Sequence, residues 1–113
     1  MIRRVSFIRR KAGLSRQEFF AHWNGRHAEI VRQLPGLRGL RFTRVDSCVP
    51  EDAAWDGVGE TWFDSISDAD RAFATDPFRA MLIKDRAEFT GDSHSCYIEE
   101  PPGAEPANEA SRP

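Results

Sequence analysis

The sequence lacks any apolar run close to the roughly 20 residues that a membrane-spanning helix needs, so no membrane span is expected. Arginines interrupt the apolar residues of the opening IRRVSFIRRK, so no export signal is recognisable and a cytoplasmic protein is expected. Cysteine is scarce, because only Cys48 and Cys96 are present and they lack metal-ligand spacing. We expect two free thiols, with a regulatory disulfide between them as the open alternative.

Motifs for cofactors are also missing. The chain has no glycine-rich phosphate loop, no dinucleotide fingerprint and no cluster of metal ligands, so we expect no cofactor and no metal. The length of 113 residues predicts one domain with one core.

Charge is unevenly distributed along the chain. Residues 1–45 carry a net charge of +9 and residues 46–113 carry −11, although the whole chain is close to neutral at −2. The basic half shows no nucleic-acid-binding motif, and its arginines are dispersed over two predicted strands and a helix. We therefore expect no nucleic-acid partner, and acidic strands that lie beside basic ones within the subunit or across a dimer.

Hydrophobic periodicity predicts an α+β fold with the element order β-α-β-β-α-β. Predicted strands cover residues 2–9, 37–48, 58–64 and 94–99, and predicted helices cover 15–34, 67–75 and 77–89. Ser15 and Glu18 form a capping box at the start of the first helix, which ends before Pro35-Gly36. This order is the ferredoxin-like plan, a four-stranded antiparallel sheet with helices on one face. Residues 101–113, with four of the seven prolines, are predicted to be a disordered tail.

The sheet face without helices is predicted to carry apolar residues, including Ile2, Ile8 and a Trp62 or Phe63 set. An apolar sheet face needs a second layer, and the simplest cover is another copy of the same chain. We therefore expect a homodimer.

The first helix carries a histidine in its apolar stripe. At 100° per residue the stripe contains Phe20, Trp23, His27, Ile30, Val31 and Leu34, with His27 near its middle. A titratable imidazole in an apolar chamber is typical of acid–base catalysis, whereas a buried histidine bonded to a backbone carbonyl or a carboxylate is the structural alternative.

Three sequence stretches resemble the EthD family of the dimeric α+β barrel superfamily. They are LSRQEFFAHWNGRH at residues 14–27, PGLRGLRF at 35–42 and DGVGETWF at 56–63. The resemblance implies a dimeric α+β barrel domain over residues 1–100, and His22 and His27 match histidines of the first stretch. Relatives in this superfamily resemble isomerases, cyclases, decarboxylases, dehydratases and cofactor-free monooxygenases that act on small, often aromatic or enolisable compounds.

Candidate site residues follow from these patterns. His27 and Glu60 are the candidate catalytic groups, Glu60 as a proton relay or as the orienter of His27, with a salt bridge to Arg41 or Arg44 as the alternative. Because strand neighbours alternate, at most one of Arg41 and Arg44 faces a cavity. Candidate substrate-binding residues are Trp23, Trp62, Phe89, Arg41 and His22, and core packing is the alternative for the aromatic ones.

His22 lies about 140° from His27 on an ideal helix, so we expect it at the flank or rear, where the two histidines cannot easily share a ligand.

Together these features predict a small cofactor-independent enzyme of lyase, isomerase, dehydratase or decarboxylase type. Its substrate would be a small carbonyl-containing compound, aromatic or lactone-like. The open alternatives are a cofactor-free monooxygenase of phenolic, anthrone-like substrates and a non-catalytic small-molecule-binding protein.

Overall fold

The computed structural model describes residues 1–99, and the predicted disordered tail lies outside these residues. Four strands form one antiparallel sheet in the order β2-β3-β1-β4, so the expected ferredoxin-like fold is confirmed. The strands are β1 (Ile2–Arg10), β2 (Gly39–Arg44), β3 (Gly57–Phe63) and β4 (Thr90–Glu99). The helices are α1 (Arg16–His22), α2 (Ala28–Val31), α3 (Ile66–Ala74) and α4 (Phe78–Phe89), with a 3-10 turn at Glu51–Ala53.

The first helix begins where the capping box predicts. The Ser15 hydroxyl accepts a hydrogen bond from the backbone N–H of Glu18, and the Glu18 carboxylate accepts one from the backbone N–H of Ser15. The predicted single helix over residues 15–34 is interrupted, because a π turn (Trp23–His27) separates α1 from α2. At the end of this π turn, the backbone N–H of Ala28 donates a hydrogen bond to the carbonyl of Trp23, five residues earlier.

The helices cover one face of the sheet, which we call the inner face. Trp23 packs so closely on this face that a Cβ added at Gly57 would lie 1.9 Å from its ring. Glycine at position 57 is therefore needed for the helix to approach the sheet. Two groups of buried apolar residues fill this layer. One contains Ile8, Phe19, Trp23 and Phe89; the other contains Ile30, Val31, Leu34, Leu40, Phe63, Ala69, Ala72 and Leu82.

The opposite face of the sheet, the outer face, has no helix against it among residues 1–99. Because side chains alternate along a strand and Gly57 and Gly59 contact Trp23, Glu60 and Trp62 point to the outer face. The expectation that Ile2 and Ile8 lie on this face is wrong, because they pair with Phe63 and Gly57 and therefore point to the inner face. The Glu60 carboxylate accepts hydrogen bonds from Arg3 (2.8 Å) and Arg41 (3.1 Å). The guanidinium groups of Arg3 and Arg41 also lie 5.9 Å from the centre of the Trp62 ring.

Among residues 1–99, no helix is both long and apolar enough to cross a membrane. The two cysteines are free. Cys48 follows the edge strand β2 and Cys96 lies on β4 at the other edge of the sheet, so the four-stranded sheet separates them.

Candidate functional site

The π turn brings two histidines to one carboxylate. Nε2 of His22 lies 2.8 Å from Oδ1 of Asp85, and Nδ1 of His27 lies 3.0 Å from Oδ2 of the same side chain. In a regular α-helix residues five apart diverge, but a π turn places an extra residue in one turn and aligns them. The expectation that His22 and His27 cannot easily share a ligand is therefore wrong, because it assumed α-helical spacing.

Asp85 fixes the protonation pattern of the His27 ring. Its side chain is 1% exposed and also lies 3.5 Å from Nε of Arg26. An ionised carboxylate can only accept hydrogen bonds, so Nδ1 of His27 must donate to it. In neutral His27 the other nitrogen, Nε2, then carries a lone pair, and it has no hydrogen-bond partner within residues 1–99. The arrangement makes His27 an oriented base.

The surroundings keep His27 in its neutral form. Burial lowers the pKa of His27 below its ordinary value of 6.5, and the hydrogen bond to Asp85 together with the charge of Asp85 opposes this shift without cancelling it. The positive charge of Arg86 and the nearby His22 also lower the pKa. A histidine of this kind is ready to accept a proton at neutral pH.

His27 faces a cavity between the helices and the inner face of the sheet. The cavity has a volume of about 60 Å³, several times the space that one water molecule requires. One part of its wall is apolar and the other carries hydroxyl and guanidinium groups. The apolar part comprises Ile8, Trp23, Val31, Phe42, Phe73 and Leu82; the polar part comprises Arg4, Ser6, Thr61, Arg86, Thr90, Ser93 and Ser95.

Two buried polar atoms in this wall have no protein partner among residues 1–99. They are Nε1 of Trp23 and Oγ1 of Thr61, on residues that are almost fully buried. A buried donor without a partner costs about 1–3 kcal/mol, so such groups are usually satisfied by water or by a ligand. Together with Nε2 of His27, they supply the cavity with three polar positions.

The predicted site residues fall into three groups. His27 and Trp23 line the cavity, as the stripe of the first helix predicts. Glu60, Arg41 and Trp62 lie together on the outer face. Glu60 does not contact His27, so the expected orienting carboxylate is Asp85 instead, and the alternative salt bridge of Glu60 to Arg41 is the one observed.

The third group lies behind His27. Phe89 is fully buried, with its ring centre 5.1 Å from that of His27 and 4.5 Å from that of His22. His22 stacks on Phe89 and binds Asp85, and neither residue lines the cavity. Phe89 and His22 therefore hold the ring of His27 in place.

Sequence reasoning missed Asp85, although a signal was present. Phe78, Leu82, Asp85 and Phe89 follow one another at helical spacing on a single face of α4, and the other three positions are apolar. A carboxylate in an apolar helix face needs a polar partner, as His27 does on the facing helix. The polar wall residues Arg4, Thr61 and Arg86 were also missed, because strand parity alone does not show where a cavity lies.

One group of side chains resembles a metal site. Single ligand atoms of His22, Asp85 and Glu88 lie within 4.8 Å of one another. The guanidinium group of Arg26 lies 3.5 Å from Asp85 and 3.9 Å from Glu88, so a cation already neutralises these carboxylates. The residues therefore fit an ion-pair network better than a divalent-metal site.

The fold and the cavity define a small ferredoxin-like α+β protein with a candidate small-molecule site. The family described as the EthD domain matches residues 11–93, and the chain therefore belongs to the EthD family. No match is found among functionally curated proteins.

Several solved structures share the fold. An EthD-family protein from Bacillus halodurans is 25% identical, with a TM-score of 0.73 over 88% of this chain and 98% of that one. Hydroxynitrile lyase from Passiflora edulis is 15% identical, with a TM-score of 0.70 over 92% and 96% of the two chains. SnoaB from Streptomyces nogalater, a cofactor-independent oxygenase, is 17% identical, with a TM-score of 0.64 over 88% and 91%. Two further relatives of this fold are described as dimeric.

Proposed function

We propose that this protein is a cofactor-independent enzyme that moves protons on a small carbonyl-containing substrate, with His27 as the general base. The proposal rests on the hydrogen bond from Nδ1 of His27 to the buried Asp85, which leaves Nε2 as an acceptor beside the cavity. A general base of this kind contributes about 10²–10⁴-fold to a rate.

The proposed chemistry begins at a carbon next to the carbonyl group. Nε2 of His27 takes a proton from this carbon, and the electron pair of the C–H bond moves onto the carbonyl oxygen to form an enolate. The indole N–H of Trp23 and the hydroxyl of Thr61, which lack protein partners, can donate hydrogen bonds to that oxygen. Return of the proton to another carbon gives an isomerase, and loss of a leaving group from the neighbouring carbon gives a lyase or dehydratase.

During this step His27 becomes an imidazolium cation, and Asp85 stabilises it across a 3.0 Å contact. His22 binds the other oxygen of Asp85 and keeps the carboxylate in place. The hydroxynitrile lyase among the structural relatives shows that this fold can support lyase chemistry. At 15% sequence identity, the likeness to this chain concerns the fold alone.

A cofactor-free monooxygenase is the second candidate. A base beside an aromatic wall of Trp23 and Phe42 can also deprotonate a phenol, and the fold is shared with a cofactor-independent oxygenase. Oxygen consumption during turnover distinguishes this candidate from proton transfer. A third possibility, binding without catalysis, predicts that the ligand is recovered unchanged.

We also propose that the protein is a homodimer formed through the outer face. That face carries the partly exposed Phe7 beside the Arg3–Glu60–Arg41 cluster, and no helix among residues 1–99 covers it. Val5 and Trp62 lie on the same face but are already buried within the single chain. The dimeric relatives support this arrangement. Phe7→Asp should give a monomer in sedimentation, whereas an unchanged mass for this variant would refute the proposed interface.

The test of the base uses deuterium exchange, which needs no knowledge of the natural product. Small ketones, lactones and enones are incubated with the protein in D₂O, and incorporation at the carbon next to the carbonyl is followed by NMR. We expect exchange with the native protein, a loss of about 10²–10⁴-fold in His27→Ala, and no loss in the control variant His94→Ala. Equal exchange in His27→Ala would exclude the proposed role.

A further inference from the structure

We propose that the cavity binds the carboxylate group of an anionic substrate through Arg4 and Arg86. The natural substrate would then be a small organic acid with an apolar, ring-sized body. The inference rests on the proposed function for the position of the reacting carbon, but the binding of an acid can be tested without turnover.

The charge of the cavity wall is the first argument. Among residues 1–99, the wall contains two arginines, five residues with hydroxyl groups and no aspartate or glutamate. Asp85 lies behind the His27 ring and is outside the wall. A cleft lined by charge of one sign attracts ligands of the opposite sign.

Arg4 is the second argument, because it is half-buried without a carboxylate partner. No acidic oxygen of residues 1–99 lies within salt-bridge distance of its guanidinium group, which packs 4.2 Å from the centre of the Phe73 ring. The nearby Asp70 instead accepts a hydrogen bond from the hydroxyl of Tyr97. Within residues 1–99 the polar partner of Arg4 is the neutral hydroxyl of Tyr97, so the guanidinium charge has no directly paired carboxylate. A half-buried cation of this kind can take up an anion that the described part of the chain does not supply.

Electrostatics within the pair gives the third argument. Burial lowers the pKa of Arg4, and the nearby charge of Arg86 lowers it further, while Tyr97 and Asp70 act in the opposite direction. Arg86 also lacks an acidic partner among residues 1–99; its Nε makes only a 3.4 Å contact with the carbonyl of Leu82. Two neighbouring cations repel each other, and a bound carboxylate would remove that repulsion.

The chemistry of the remaining wall selects the kind of acid. Guanidinium groups bind carboxylates with two parallel hydrogen bonds, and the hydroxyls of Ser6, Ser93 and Ser95 add further donors beside them. The stacked pair of Trp23 and Phe42, with ring centres 4.8 Å apart, offers an apolar surface for a flat ring.

The test compares acids with uncharged analogues of the same shape. Benzoate, phenylacetate and 2-hydroxybenzoate are titrated against benzamide, phenylacetamide and 2-hydroxybenzamide, with binding followed by ligand-observed NMR at millimolar concentration. We expect each acid to bind roughly 10- to 100-fold more tightly than its amide, which is the effect of a charge-assisted hydrogen-bonded pair. Equal binding of acids and amides, or binding of neither, would overturn the proposal.

Variants assign the preference to the two arginines. Arg86→Gln and Arg4→Gln should each reduce acid binding by roughly 10- to 100-fold and leave amide binding unchanged. Arg79→Gln is the matched control, since Arg79 is exposed on the same helix and does not line the cavity. Because Arg4 packs on Phe73, folding of the Arg4→Gln variant is first checked by its near-ultraviolet circular dichroism spectrum. Arg86 is exposed, so Arg86→Gln gives the decisive result if the Arg4→Gln variant does not fold.

The results separate this inference from the proposed function. His27→Ala should retain the preference for acids, because His27 supplies no positive charge when it is neutral. If acids bind through the arginines and deuterium exchange is nevertheless absent, the acid site stands and the proton-transfer role of His27 fails. If deuterium exchange depends on His27 but acids bind no better than amides, the general-base role of His27 is supported and the proposed carboxylate site is refuted.

Discussion

Replacing Asp85 with asparagine is the most informative perturbation of this site, because it preserves the shape of the side chain and changes only its charge and its hydrogen-bonding character. Asp85 accepts from His22 at 2.8 Å and from His27 at 3.0 Å. Asparagine has one carbonyl oxygen and one NH₂ group, so it can accept from only one of the two histidines. The other histidine then faces an N–H group and must become an acceptor.

The expected cost follows from the lost interactions. A hydrogen bond to a charged group contributes about 1.5–3 kcal/mol, and one of the two is lost in Asp85→Asn. The charge that stabilises Arg26 and the histidines is lost as well. We therefore expect the free energy of unfolding to fall by about 2–4 kcal/mol, a large share of the 5–15 kcal/mol that is typical of a small domain.

The variant should also change the His27 ring itself. If the NH₂ group faces His27, Nδ1 becomes the acceptor and Nε2 carries the proton, so the base is lost. A comparable change of tautomer in serine proteases lowers kcat by about 10⁴. Since Asp85 raises the pKa of His27 in the native protein, His27 should titrate at a lower pH in Asp85→Asn than in the native protein.

Urea unfolding measures the stability change, and nitrogen-detected NMR of the imidazole rings measures the tautomer. Asp76→Asn is the control, because Asp76 is exposed. A loss of stability below about 0.5 kcal/mol, which is usual for surface substitutions, together with an unchanged His27 tautomer would refute the reasoning.

Three further predictions test the surroundings of the site. Because burial depresses the pKa of His27, the unfolded state binds more protons than the folded state below pH 6.5. The unfolding free energy should therefore fall by up to about 1.4 kcal/mol per pH unit as the pH drops from 6.5 to the lower pKa of folded His27, and His27→Gln should flatten this slope in urea titrations. Gly57→Ala should destabilise the protein by about 1–3 kcal/mol, since the new methyl group overlaps the Trp23 ring, whereas Gly25→Ala meets nothing within 4 Å and should not destabilise it; thermal unfolding of both variants gives the comparison. Glu60→Gln should weaken the contacts to Arg3 and Arg41 and cost about 2–3 kcal/mol, yet leave the NMR titration of His27 unchanged, because the two residues lie on opposite faces of the sheet; a shifted titration would contradict this separation.

The fold could be predicted from the sequence because its local signals agree with each other. The capping box of Ser15 and Glu18, the turn residues Pro35-Gly36 and the alternation of β3 each point to the same element order. Strand ends were less predictable: β4 begins at Thr90 rather than residue 94, since pairing with β1 extends a strand whose own residues are mostly polar.

The candidate site could be predicted only in part. The position of His27 in an apolar stripe placed it correctly beside the layer under the helix. The π turn could not be predicted, because helical periodicity assumes 3.6 residues per turn and gives no reason for an extra one. The extra residue in this turn rotates His22 toward α4, where it shares Asp85 with His27. The choice of Glu60 over Asp85 has a different cause, since the signal for Asp85 was a carboxylate in the apolar face of α4.

In the proposed mechanism His27 is a neutral base that Asp85 holds in place, with Nε2 open to a ligand. The most direct measurement is nitrogen-detected NMR of the His27 imidazole as a function of pH, with and without an aromatic acid such as 2-hydroxybenzoate. We expect a proton on Nδ1 of His27 at neutral pH, a His27 pKa below 6.5 and a shift of the Nε2 resonance when the acid is added. A proton on Nε2 together with a pKa above 6.5 would show that His27 is a structural residue.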